Sequence, residues 1–214
     1  MKFKIKEVRP RIFLFEFKDR YEMCMTFLRY QECYESPNPK FRGKIFSILD
    51  FMEWYSKKDG GTAFTYPQDW SGFNMPAQII PWIYNSKELQ DPNKYDFAMY
   101  QAYLKCKEKY NDDNFCIIGA EKGQLDTLKH EIAHGFFYLI PEYRKEMTAL
   151  VKALPKSYFK KACQALSELG YTKQVFIDEC QAYLSTGDAE RYFGPKSHKY
   201  NSKFISVYYK YYDR

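Results

Sequence analysis

A chain of 214 residues is long enough for one sizeable core or for two small lobes sharing a cleft. Its 45% hydrophobic and 28% charged residues exclude the disordered class, and no run of about 18 apolar residues exists, which excludes a transmembrane helix. The net charge of +6 is uneven: residues 1–44 hold 11 Lys/Arg against 6 Asp/Glu and residues 191–214 hold 6 against 1, leaving the middle acidic.

Basic ends of this kind are more often solvated lysine than a nucleic-acid surface, so nucleic acid is the less expected partner. The start of the chain has no export-signal pattern. The six cysteines are scattered without CxxC spacing and read as reduced, buried thiols. A cytoplasmic protein is expected, with non-classical secretion left open. Aromatic residues reach 20%, including 21 Tyr and 18 Phe, and read first as core and surface cladding, second as a binding surface.

Two alternating runs, Lys2–Val8 and Arg11–Phe17, are divided by Arg9-Pro10 and predict a hairpin or two sheet strands. Asp19 is the expected N-cap of a helix to about Glu35, stopped by Ser36-Pro37-Asn38-Pro39. An amphipathic helix is expected from about Lys44 to Lys57, ended by Gly60-Gly61. Residues 62–91, broken by several prolines, predict a long irregular segment. Its Trp70, Phe73, Asn74 and Trp82 read equally as core or as one wall of a substrate cleft. A helix from about Asn93 to Lys109, a turn at Asn111–Asn114 and a short apolar strand Phe115–Gly119 follow.

From Gln124 almost to Gly187 the pattern is helical, with breaks at Pro141, Pro155 and Gly170. The tail Phe204–Tyr212 has no clean period and fits strand or helix. The expected class is α+β: a small N-terminal strand and helix part with a short sheet, then a mostly helical C-terminal part. It reads as a single domain over 1–214, with a boundary near 110–122 dividing it into an α+β lobe, 1–121, and a helical lobe, 122–214.

Thr127-Leu128-Lys129-His130-Glu131-Ile132-Ala133-His134-Gly135-Phe136 carries the chemistry. Residues four apart on a helix are offset by about 40° and one turn, so His130 and His134 can face one ion. Glu131 stands about 100° round the same helix, beside the ligands, where a general base for a metal-activated water belongs. Leu125, Leu128, Ile132, Phe136 and Leu139 form an apolar stripe expected to bury this helix. Two of only three histidines sit at this spacing, and the residues flanking them are uncharged. The rival reading is a helix whose polar face carries these side chains by coincidence.

The motif resembles the HExxH zinc peptidases. A metzincin would need His where Ile140 stands. Glu179-Cys180-Gln181-Ala182-Tyr183, on a predicted second helix, is similar to the second motif of the gluzincins, the thermolysin-like branch. The resemblance covers 127–184. It implies one Zn2+ held by His130, His134 and Glu179, with Glu131 as general base and later acid. It also implies that Cys116, Ile117, Ile118 and Gly119 form a sheet edge along which a peptide substrate lies.

Gluzincins often place an acid soon after the ligand Glu, hydrogen-bonded to a zinc-binding histidine. Here Tyr183 stands four residues on, so Asp178 or Tyr183 must serve, or another group does. Cys180 is a rival metal ligand, disfavoured by its 100° offset from Glu179. For the oxyanion stabiliser, His198 in a loop over the cleft, Tyr200 and Tyr192 compete, and His198 reads first as an exposed residue of a basic tail. The expected activity is endopeptidase cleavage of a peptide or protein substrate. The alternatives are a non-catalytic zinc-containing interaction protein with a Tyr-rich surface, and a nucleic-acid-associated protein using the basic termini.

Overall fold

A computed structural model describes residues 2–213, apart from the side chain of Asp59, and the chain separates into two compact units, Met1–Gln124 and Leu125–Arg214. The architecture is α+β, with the whole sheet in the first unit.

Strands β1 (Phe3–Arg9) and β2 (Ile12–Phe17) pair antiparallel across a turn at Pro10-Arg11. Arg11 there takes φ +64° and ties its guanidinium to Asp112 at 2.7 and 3.1 Å. β1 alternates half-buried and exposed residues, whereas β2 is apolar at five of six positions and buried at those five, the pattern of an interior strand. Helix α1 (Arg20–Glu35) starts where expected: the Asp19 carboxylate accepts the Glu22 N–H at 2.8 Å. Every residue from Met23 to Cys33 is buried, so α1 is enclosed on all sides and forms the axis of the first unit.

Helix α2 (Ile48–Lys57) begins four residues later than its periodicity suggests, at Ile48 behind Ser47 in the N-cap position. The proline-punctuated segment is not irregular. It holds α3 (Tyr66–Asp69), β3 (Gly72–Pro76) and α4 (Ile79–Tyr84). Phe73 is core, its ring stacked on Phe27 at 5.1 Å, and Trp70 stacks on Phe73; Trp82 is half exposed. The cleft-wall reading is thus corrected for Phe73. Helix α5 (Lys94–Tyr110) carries a full capping box between Asn93 and Asp96 and ends on Asn111 in the left-handed region.

Strand β4 (Cys116–Glu121) completes a sheet of order β1-β2-β4-β3. It pairs parallel with β2, from Ile12 opposite Cys116 to Phe17 opposite Glu121. On its other side it pairs antiparallel with β3, from Gly72 opposite Ala120 to Pro76 opposite Cys116. The expectation that Cys116, Ile117, Ile118 and Gly119 offer an open edge is overturned. Both sides of β4 are already hydrogen-bonded, so no backbone groups remain to receive a peptide strand. Pro76 is tolerated because β3 lies at the sheet edge.

The second unit is helical: α6 (Leu125–Leu139), α7 (Pro141–Lys152), α8 (Lys156–Glu168), α9 (Phe176–Thr186), α10 (Ala189–Phe193) and α11 (His198–Tyr212). Pro141 opens α7 at its first position, and Gly170 and Gly187, both at positive φ, follow α8 and α9. Helix α9 is the hub, packing against α6, α7, α8 and α11, and every residue from Glu179 to Ser185 is buried. The ambiguous tail is helix α11, whose stripe Phe204, Tyr208 and Tyr211 at i, i+4, i+7 is buried. Among the described residues no helix is long and apolar enough to cross a membrane.

Candidate metal centre

Helix α6 buries one side through Ile132, Ala133 and Phe136, and this sets the facing of its two histidines. Leu125, expected to extend the apolar stripe, is instead 66% exposed at the helix start. Ala133 on α6 and Ala182 on α9 are fully buried, and such small side chains allow two helices to approach closely. His130 and His134 then meet Glu179 of α9, with side chains only 13%, 11% and 8% exposed.

The three residues converge. The two histidine Nε2 atoms lie 3.1 Å apart; Glu179 Oε1 is 3.5 Å from His134 Nε2, and Oε2 is 3.7 Å from His130 Nε2. Ligand atoms at 2.0–2.1 Å from a tetrahedral zinc are separated by about 3.3–3.4 Å, so these spacings are close to those of a metal's coordination sphere. Glu179 Oε2 is buried without a hydrogen-bond partner, an acceptor that a cation would satisfy. His130, His134 and Glu179 are the one group among the described residues with the composition and convergence to hold a metal ion.

Compared with protein-family models, curated proteins and solved structures, the chain finds no match. The site therefore rests on its own geometry.

Asp178 precedes Glu179 on α9 and reaches across to α6, where its Oδ1 accepts from His134 Nδ1 at 2.9 Å. A carboxylate can only accept, so Nδ1 carries a proton and Nε2 is the nitrogen turned toward the cluster. Of the two residues weighed for this role, Asp178 takes it. Tyr183 instead packs its ring edgewise on His130, centroids 4.6 Å apart, and Tyr192 packs on Tyr183 at 4.8 Å. Burial disfavours charge on His134, yet the Asp178 and Glu179 carboxylates outweigh it and push the ring's pKa well above its ordinary value. The same negative field favours any cation placed between the three ligands.

Glu131 is buried on α6, its side chain beside the cluster, and burial pushes its carboxyl up against the opposing pull of His130 and His134. Cys180 is buried with its thiol pushed up to about 12 by burial, and its sulfur is not among the atoms that converge with His130, His134 and Glu179. His198 and Tyr200 are not brought to the cluster. His198 heads α11 instead of lying in a loop; it is exposed, and its Nδ1 meets the Pro195 carbonyl. Tyr200 packs on Tyr158, centroids 4.6 Å apart.

Three residues of the site were not singled out by pattern. Tyr171, in the turn after Gly170, is hydrogen-bonded to Tyr183 and sits in the field of Glu179 and Glu131; burial and that field hold its hydroxyl protonated. Gln181 donates to Asp178 and accepts from the buried Tyr143 hydroxyl. No local spacing marks these three, because each reaches the site from a different element.

Proposed function

We propose that the second unit holds a single zinc ion on His130, His134 and Glu179 and hydrolyses peptide bonds, as the gluzincin resemblance implies. The observation that carries this reading is the convergence of an N2O donor set at near-tetrahedral spacing with a buried glutamate beside it. When bound, zinc supplies Lewis acidity that polarises a carbonyl and brings the pKa of water down to about 7.

The chain's own groups do the rest. Asp178 holds the His134 ring by Nδ1, leaving Nε2 free for coordination. Tyr183 packs against the His130 ring and limits its rotation. Glu131 accepts the proton of the attacking water and returns it to the leaving amine, a role that burial suits by making the carboxylate a stronger base. Tyr171 lies in the field of Glu131 and Glu179 and hydrogen-bonds Tyr183, which favours it over His198 and Tyr200 as the donor to a developing oxyanion once its hydroxyl turns from Tyr183. All six cysteines are free thiols, five of them buried, which supports residence in a reducing compartment such as the cytoplasm.

The test is metal content and peptidase activity of wild type, His134→Ala, Glu179→Ala and Glu131→Gln. About one zinc per chain is expected in wild type and Glu131→Gln, with loss in both ligand variants. Turnover of a peptide library should fall at least about a hundredfold in Glu131→Gln while its zinc remains. A wild-type protein that refuses zinc overturns the metal centre; one that binds zinc but cleaves nothing in the library overturns the peptidase.

A further inference from the structure

Gln181 is an amide with no solvent exposure, on a helix that packs against both α6 and α7. A buried amide is costly unless its donors and its acceptor all find partners. Its oxygen accepts from the Tyr143 hydroxyl at 2.8 Å. Its NH2 group donates to Asp178 Oδ1 at 2.9 Å, with a longer contact to the Ala133 carbonyl at 3.4 Å. Turning the amide over would set its oxygen against a carboxylate and a carbonyl, three acceptors with no proton between them. One orientation satisfies the site.

Tyr143 maintains that orientation. It is fully buried on α7, its ring held by Phe136 and Tyr211, and it gives its single hydroxyl proton to the amide oxygen. With the NH2 group thus turned toward it, Asp178 Oδ1 is anchored at the point where it meets His134 Nδ1. Three helices therefore contribute to the pose of one imidazole. The chain runs from the Tyr143 hydroxyl through the Gln181 amide and the Asp178 carboxylate to His134, and its far end is Nε2, facing His130 and Glu179.

We infer that Tyr143 and Gln181 are positioning residues for His134, setting the direction of Nε2 through Asp178. The role in metal affinity rests on the zinc reading above; the control of the imidazole does not. Neither residue touches the ligand atoms; Tyr143 lies between the two gluzincin-like motifs, and Gln181, although within the second, is given no role by that resemblance.

The test uses the full chain and two variants, Tyr143→Phe and Gln181→Leu, in different helices, so that one folding failure does not end it. Zinc affinity is measured by competition with a chromophoric chelator, and exchange of the His134 Nδ1 proton by 15N-edited NMR in the metal-free chain. About tenfold weaker zinc binding is expected in each variant, the lower end of what outer hydrogen-bond partners contribute. The Nδ1 proton should exchange at least about tenfold faster while the backbone amides of α6 keep their wild-type rates. A purely structural role would speed both together, and that result overturns the inference. Wild-type affinity and wild-type Nδ1 exchange in both variants overturn it as well. If wild type binds no zinc, the metal reading falls, and the Nδ1 exchange rates alone decide whether the two residues hold the ring.

Discussion

Glu32 places a carboxyl on the fully enclosed helix α1, 5% exposed, where the Tyr66 hydroxyl donates to it at 3.0 Å. Burial raises its pKa above the ordinary 4.5, and the hydrogen bonds from Ser36 and Tyr66 only partly offset this. Between 4.5 and that raised value the folded chain keeps a proton that the unfolded chain has released, so stability falls as pH rises through the window. Glu32→Gln retains an acceptor for Tyr66 and has no proton to lose. Urea unfolding should find the variant no more stable than wild type near pH 4 and more stable at pH 7; a variant weaker at pH 7 would show that Glu32 is ionised and stabilising there. At the candidate metal centre the residue scale was partly legible. His130, Glu131 and His134 stand on one helix at fixed spacing, so sequence alone placed them together. The choice of Asp178 over Tyr183 was open, because both lie within a turn of Glu179 and only the approach of α6 selects between them.

At the scale of elements, the packing of α1 on the sheet depends on an absent side chain. A Cβ on Gly119 would come within 2.6 Å of the Phe27 ring, which is fully buried and stacked on Phe73. The ring has nowhere to retreat, since Phe15 and Phe17 also pack against it edgewise. Gly119→Ala should destabilise the chain by about 1–3 kcal/mol, read as a lower midpoint in denaturant with unchanged slope. A midpoint at the wild-type value would mean that α1 shifts freely. Helices α1 and α5 were legible from their caps and α6 from its apolar periodicity, signals that lie within each segment. Strand β3 was not, since five residues ending in proline leave no period to read, and its pairing with β4 is a long-range choice. The Tyr-rich run of α11 hid a helical stripe, because tyrosine is equally at home on its buried and exposed faces.

At the scale of the molecule, all three candidate ligands belong to the unit Leu125–Arg214, on α6 and α9. A metal that binds only the folded chain stabilises it by about 2.7 kcal/mol at a hundredfold excess over Kd. Zinc should therefore slow amide hydrogen exchange most in α6 and α9, and a chelator should reverse the gain. Protection spread evenly over both units, or none, would speak against a centre built from these two helices.

Composition and local pattern determined by themselves that the chain is α+β, where most of its long helices begin, and that His130, Glu131 and His134 share one stretch of helix. These are properties of contiguous residues, set by helical geometry and capping within one segment; Glu179 came only from the resemblance to gluzincins. Tertiary structure decided the rest: that β4 is enclosed by β2 and β3, that His198 and Tyr200 make their contacts elsewhere, and that Tyr143, Gln181 and Asp178 converge on His134. Each of these depends on which distant segments become neighbours. That choice is made by the summed burial of whole faces, and no window of local sequence contains it.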